Sequence, residues 1–458
     1  MLYSSLLFIY LFLPLSILIY YAVPHKHRET VLLVLSMLYC AANSLYCLIF
    51  MLMFTLLNFT MCRITAFLKQ KKSIAEVALA STIVIDLTVI FGFRAPYMSW
   101  FRGMIRAPEG FFPIGVSLYT LSAVGTLIDV YKGREKPEKN IIRFGLYTMF
   151  FPKLIIGPMV RYRTFRKLIA SRKGGIEDIG AGLLIFIKGL AKKVLAADTL
   201  YTLYTSINSS GSHRLPLVTA WIGAAAYLLC LYFELSGFAD MGAGAARCFG
   251  IRFPQCFNYP IFSRRIRYFA MRSNTQAVNW FRCFISVPLT SQFSNTAAKT
   301  AAYLLAWSLL GFWYSFTLNG AVSGAFLGTF ILIENQFRSR NTLRITGVIY
   351  TFAFSAVFAA VMSGHSISAS LRYIGSMLGT GGFADSQSWF FIRSYAVVLI
   401  LCIFFASSLG HKLLLAASRN KYTNKVFVLT PFIAAAMLVI CTAFLTDSGT
   451  SEMLLIKL

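Results

Sequence analysis

The twenty residues from Ser263 to Arg282, SRRIRYFAMRSNTQAVNWFR, hold five arginines and neither a carboxylate nor a histidine. Guanidinium groups at this density suit the holding of a phosphate or carboxylate through forked hydrogen bonds. They cannot take a proton from a hydroxyl, because they are charged donors with no acceptor. Imidazole can, with an ordinary pKa of about 6.5, yet the chain has only five histidines. His25, His27, His213 and His411 fall in loops or at loop edges, and His365 follows an apolar run in MSGHSIS. No two have metal-ligand spacing, so a metal site, zinc above all, is not expected. The nine cysteines form no C-x-x-C and read as small packing residues rather than a disulfide framework. G-x-S-x-G and GxxxxGK[ST] are absent, which leaves no support for a lipase-type nucleophile or a nucleotide motor.

Other charges interrupt apolar runs: Asp86, Asp129, Lys153, Lys188, Lys192, Lys193, Asp198, Glu234 and Asp240. A charge at the centre of a membrane helix costs about 2.5 to 3.5 kcal/mol on insertion scales, so each needs a reason. Lys188, Lys192 and Lys193 share a broad helix face and read as snorkelling side chains. Glu234 and Asp240 flank ELSGFAD, which reads as a helix break beside a cavity.

The elements that carry these residues are membrane helices. Hydrophobic residues make up 57% of the chain and charged ones 13%, against about a quarter charged in soluble domains. The mean hydropathy is +0.68. On a ruler of about 20 apolar residues per span, candidate spans lie near 2–22, 30–45, 47–67, 76–93, 112–131, 141–157, 179–207, 216–238, 299–333, 342–361, 390–411 and 426–446. Pro152 and Gly157-Pro158 should interrupt 141–157 and make it re-entrant, while Gly311, Gly320, Gly324 and Gly328 leave 299–333 as one long helix or two short ones. The first span has no basic n-region or cleavage signature and reads as retained.

The net charge of +27 is concentrated in loops such as Lys132–Lys139 and Arg161–Lys173. By the positive-inside rule these loops face the cytoplasm against anionic lipid, and no nucleic-acid partner is expected. No hydrophilic stretch leaves room for a soluble domain, so the chain reads as a single polytopic membrane domain: N-terminal helices over 1–110, a core over 111–334 and C-terminal helices over 335–458.

Four blocks then occur in order: FFPIGVSLYTLSAVGTLIDVYKG (111–133), FFPKLIIGPMVRYRTF (150–165), GLAKKVLAADTL (189–200) and YFELSGFADMGAGAARCFGIRFPQCFNYPIFSRRI (232–266). Together they resemble the membrane-bound O-acyltransferase family, in particular its bacterial branch that acylates exported polysaccharides and teichoic acids. The resemblance implies an all-α body of about 10–12 transmembrane helices, with re-entrant or short helices, around a central tunnel. It also implies transfer of an acyl group from a donor on one side of the membrane, acyl-CoA or an acyl-carrier-protein thioester, to a hydroxyl of a glycan or lipid on the other. No cofactor is expected to stay bound.

The family carries one histidine in the tunnel and another on a re-entrant segment. After FNYP its pattern runs F-W-x-R-W-H and then W-F-R-D. In this chain Phe269, Arg272, Trp280, Phe281 and Arg282 match, but Asn274 stands at the histidine, Ala270 and Ser273 at the tryptophans, and Cys283 at the acid. The family's G-x-W-H-G and G-x-x-H-G meet GFWYSFTLNGAVSGAFLG, with Tyr314 at the first histidine and Ser323 at the second. Asn274, Ser323 and Tyr314 are therefore the catalytic positions, all substituted, and Arg161, Arg264, Arg272, Trp280, Arg282, Glu234 and Asp240 are the substrate-binding candidates.

Asparagine cannot act as a base near neutral pH, and loss of a general base costs about 10² to 10⁴ in rate. The favoured expectation is a family member impaired or altered in catalysis, acting in acyl-donor binding or as a complex scaffold in the inner, cytoplasmic membrane. Its partners would be membrane lipids, an acyl-carrier protein or a periplasmic acyltransferase, and a glycan or lipid acceptor. An active O-acyltransferase is the alternative, and a lipid or small-molecule transporter the third reading.

Overall fold

A computed structural model of the chain describes residues 2–94, 115–155, 159–209, 214–337, 344–364, 366–410 and 424–447. Most of these residues are helical, and there is no strand among them. Six of the helices are long and apolar enough to cross a membrane: Leu45–Gln70, Lys72–Phe93, Leu217–Cys248, Thr346–Ser363, Ser386–Ala406 and Leu429–Thr446. Phe8–Ala22 and Val116–Tyr131 are apolar but shorter. Large apolar side chains such as Leu56, Val77, Val397 and Phe432 are more than half exposed along these helices, as expected of surfaces solvated by lipid tails. The protein is a multi-pass, all-α integral membrane protein. His213, His365 and His411 lie outside the described residues, as does the Gly157-Pro158 interruption.

The chain divides into two compact units. The first comprises Met1–Gly189 with Phe238–Gln255. Its core is aromatic: Phe8 stacks on Phe186 at 5.9 Å, and Phe12 meets Phe151 edge-on at 5.3 Å. The expected interruption of 141–157 is present as helices Ile141–Met149 and Phe151–Leu154. Pro152 has no N–H to continue the ladder, and its ring would strike the carbonyl one turn back. The freed groups find partners. The Phe151 N–H donates to Ser36 Oγ at 3.2 Å, and the Tyr3 hydroxyl donates to the Phe151 carbonyl.

The intramembrane charges of this unit are held in place by local contacts. Lys153 is buried, with Nζ 3.1 Å from the Tyr147 carbonyl and 3.7 Å from the centre of the Tyr147 ring. Asp86 accepts from Asn58 Nδ2 at 3.1 Å, and Asp129 lies 3.6 Å from Arg134. Where the helix Arg28–Asn43 begins, Glu29 receives Arg143 at 2.9 Å and the buried Arg172 at 3.1 Å.

The stretch ELSGFAD does not break. Leu217–Cys248 is one helix running through it. A lone glycine in a helix interior costs only about 1 kcal/mol. The glycines that follow serve close packing: a Cβ on Gly242 would lie 2.3 Å from the Pro152 carbonyl oxygen, and one on Gly244 2.5 Å from the Phe186 nitrogen. Glu234 belongs to the second unit and Asp240 to the first, so the two acids do not flank a shared gap in a helix.

The second unit comprises Leu190–Gly237 with Cys256–Leu458. The run at 299–333 is two helices, Thr296–Ser315 and Leu318–Gln336, joined by Phe316 in a left-handed conformation with φ +53°. Thr317 caps the second helix by accepting from the Gly320 N–H at 3.1 Å. The glycines bring the two backbones into contact: a Cβ on Gly311 would lie 2.1 Å from the Gly320 carbonyl oxygen, and one on Gly324 2.1 Å from that of Trp307. They are contact residues of a hairpin.

Two outcomes follow. Gly324→Ala should lower the thermal midpoint of the detergent-solubilised protein, at a cost of about 1–3 kcal/mol for overpacking against backbone. Gly92→Ala, where a Cβ meets nothing within 4 Å, should be neutral or stabilising in the same assay. The second concerns Glu29. Burial raises its carboxyl, but hydrogen bonds from Arg143 and Arg172 outweigh this and leave it below the ordinary glutamate range. The stabilisation is therefore complete above the ordinary glutamate pKa and is lost as the pH falls through the depressed one. Glu29→Gln should cost about 1.5–3 kcal/mol at neutral pH, and its melting curve should converge on that of the wild type in acid.

Candidate functional site

The arginine-rich stretch folds as a bent pair of short helices, Ile266–Arg272 and Thr275–Phe281, continued by Arg282–Ser286 and Val287–Ser291. The bend is set by Asn274, buried with φ +47°. Residues other than glycine seldom adopt this left-handed region, and asparagine, aspartate and histidine are enriched among those that do. The Asn274 side-chain oxygen accepts from the Ala277 N–H at 3.4 Å and caps the second helix. Thr275 ties the bend to the preceding loop, with its N–H 2.7 Å and its hydroxyl 3.0 Å from the Cys256 carbonyl.

Tyr314 lies in the last turn of the first hairpin helix, and its phenol stands beside the Asn274 side chain. The fold thus joins two of the three residues at the expected histidine positions. Ser323 does not share this contact. It is fully buried, donates at 2.8 Å to the Gly320 carbonyl of its own helix, and lies outside the walls of both cavities described next.

A cavity of about 120 Å³ opens beside the Asn274–Tyr314 pair. Its wall includes Ala270, Ser273, Tyr314, Phe358, Leu231 and Trp307. Ala270 and Ser273, the two small residues at the expected tryptophan positions, therefore face open space. The Ser273 hydroxyl is satisfied by donating to the Phe269 carbonyl at 2.8 Å, and the cavity is almost wholly apolar. A second cavity, of about 300 Å³, shares Val278, Trp307 and Leu310 with the first. It is polar at one side, lined by Arg267, Arg282, Thr290, Tyr303 and Asn335, with no carboxylate among its described wall residues. Arg267 and Arg282 are exposed and both act electrostatically on the Tyr303 phenol. The nearby Glu334 is occupied in capping Ile266–Arg272, accepting from the Ile266 and Arg267 N–H groups at 3.2 Å each.

The other candidates scatter. Trp280 is buried against Phe281 and Phe284, with ring centres at 5.3 and 5.1 Å, and supports the bend without lining either cavity. Arg272 is exposed and lies over the Tyr268 ring at 5.8 Å. Arg264 is exposed, its carbonyl oxygen only 2.8 Å from where a Cβ on Gly347 would stand. Glu234 is buried within electrostatic range of Cys230, as are Lys193 and Asp198, which pair with each other. Arg161 and Asp240 belong to the first unit, where Arg161 acts on Asp129. Of the binding candidates only Arg282 lines either of these two cavities. Sequence reasoning missed Arg267, Tyr303 and Trp307. The missed signal is a stripe at helical spacing, Tyr303, Trp307, Leu310 and Tyr314, all four of which line one or both cavities.

No family model matches the chain. It is similar to a probable alginate O-acetylase of Azotobacter vinelandii, 28% identical over 408 residues that cover 84% of this chain and 80% of that protein. It is also similar to the peptidoglycan O-acetyltransferase of Helicobacter pylori, 24% identical over 303 residues, or 59% of this chain and 57% of the relative. A teichoic acid D-alanyltransferase of Bacillus subtilis is 23% identical over 274 residues, covering 55% and 68% respectively. In its ordered sequence blocks, its helical membrane-crossing body and these relatives, the chain is similar to the membrane-bound O-acyltransferase family, of which the relatives are members.

Proposed function

We propose that this protein works in the O-acylation of an exported polysaccharide or cell-wall polymer, and that it holds an acyl donor in its two adjacent cavities without performing histidine-driven transfer. The relatives named for polysaccharide and cell-wall acylation support the pathway. The observation that carries the rest is the Asn274–Tyr314 contact. The residues at two expected imidazole positions lie beside each other, and the one acceptor oxygen of the Asn274 amide is engaged by a backbone N–H. An amide has no proton affinity near neutral pH, and a phenol beside an amide lacks the base that would activate an acceptor hydroxyl.

The cavities match the two ends of an activated acid. The apolar one takes the acyl chain, and Arg267 and Arg282 face the phosphate-bearing carrier, whether acyl-CoA or an acyl-carrier-protein thioester. A protein that binds the donor and does not react with it would deliver it to, or scaffold, a periplasmic acyltransferase acting on the glycan. The location that goes with this role is the cytoplasmic membrane.

Purified protein in detergent should bind acetyl-CoA, with Arg282→Ala and Arg267→Ala each weakening binding more at low salt than at high. It should give no acyl transfer to glycan hydroxyls above the uncatalysed rate. Transfer at the rate of a histidine-bearing relative, abolished by His365→Ala or Asn274→Ala, would overturn the proposal.

A stability series separates the backbone role of Asn274 from any chemical one. Asn274→Gly removes the cap but suits the positive φ, whereas Asn274→Ala loses both and should be less stable than the glycine variant by about 1 kcal/mol. Asn274→His should fold normally, because histidine also enters this region.

A further inference from the structure

The apolar cavity has a defined size, and one side chain stands between it and much more room. Its volume of about 120 Å³ is slightly below that of an engineered apolar cavity of about 150 Å³ that stays dry and takes up benzene. A group of about six heavy atoms therefore matches its volume. The wall toward the 300 Å³ cavity is made by Val278, Trp307 and Leu310, the three residues common to both.

Trp307 is fixed from three directions. A Cβ on Gly324 would fall 2.1 Å from its carbonyl oxygen, so its backbone is pressed against the second hairpin helix. A Cβ on Gly328 would fall 3.0 Å from its Cβ and 3.1 Å from its Cγ and Cδ1, so the start of the indole rests in a notch that only glycine leaves open. The indole also meets the Tyr303 ring edge-on, with centres 6.1 Å apart. Ala270, a small residue, also lines the cavity.

We infer that the apolar cavity is an acyl-chain pocket restricted to short chains, and that Trp307, seated in the Gly328 notch, is the residue that sets the limit. This rests on the donor-binding reading above. A two- to four-carbon acyl group fits within the volume, while an eight-carbon chain must displace the indole. Enlarging or shrinking the partition should move the cut-off in opposite directions, by about tenfold or more in selectivity, since even one methylene in an apolar pocket carries a factor of that order.

The test measures the pocket without any donor. Ser273, on the wall, is replaced by cysteine, and the full-length Ser273→Cys protein is treated with methyl, butyl and octyl methanethiosulfonates. Labelling at position 273 is read by peptide mass mapping, which separates it from the nine native cysteines, and is normalised to each reagent's rate with a free thiol. Methyl and butyl reagents should label, with octyl about tenfold slower or worse. Trp307→Ala or, if that variant folds poorly, Trp307→Leu should bring octyl close to methyl. Gly328→Ala should slow butyl, because the added carbon pushes the indole toward the pocket.

Octyl labelling as fast as methyl with Trp307 in place would overturn the inference. So would a methyl reagent unable to reach position 273, or a chain-length ratio unchanged in both Trp307 variants. The parallel measurement is binding of acetyl-CoA and octanoyl-CoA to the wild type. If neither binds while the labelling series holds, the donor reading fails and the size limit stands. If both bind with equal affinity and Trp307→Ala changes neither, the size limit fails and the donor reading stands.

Discussion

Two carbonyl oxygens, those of Trp307 and Gly320, lie about where the first side-chain carbon of anything larger than glycine would be, at positions 324 and 311. This direct contact of backbone on backbone is the constraint on which the candidate site depends. In a lipid environment helices gain no hydrophobic driving force from meeting each other, so close van der Waals approach through small residues is the main source of adhesion. The tight fit fixes the rotation of Thr296–Ser315, and with it the direction of Tyr303, Trp307, Leu310 and Tyr314. If the helices separated by a side chain's width, the partition between the cavities and the Tyr314–Asn274 contact would go together.

The second constraint is local. The bend at Asn274 demands a left-handed backbone, and the residues other than glycine that meet this demand most readily are asparagine, aspartate and histidine. Asparagine, where the motif leads one to expect histidine, suits the bend but offers no acid–base capacity. Its side chain caps a helix and lies beside a phenol. Fold and chemistry are separable at this position because the backbone asks only for a short polar side chain.

Much of this was legible beforehand. The membrane class followed from composition and the interruption before Pro152 from the missing N–H. Ser323, expected with Asn274 and Tyr314, lies outside the walls of both cavities, since register gives a face of a helix and not which neighbour that face meets. The ELSGFAD segment misled for a physical reason: glycine signals a break and close packing alike, and only the partner helix decides between them. The cavity was only half legible. Small residues at 270 and 273 announce missing volume, but whether neighbours collapse into it depends on the rigidity of the opposite wall, here a tryptophan wedged in a glycine notch.

The break in the first unit bears on how the chain is built. Its unpaired backbone groups at Phe151 are met by Tyr3 and Ser36, residues that leave the ribosome well over a hundred positions earlier. When the interrupted segment is inserted, both partners are already in the bilayer, so its exposed N–H and carbonyl never have to wait in hydrocarbon for a later helix. A polar gap at that depth is tolerable because the order of synthesis supplies the remedy before the defect.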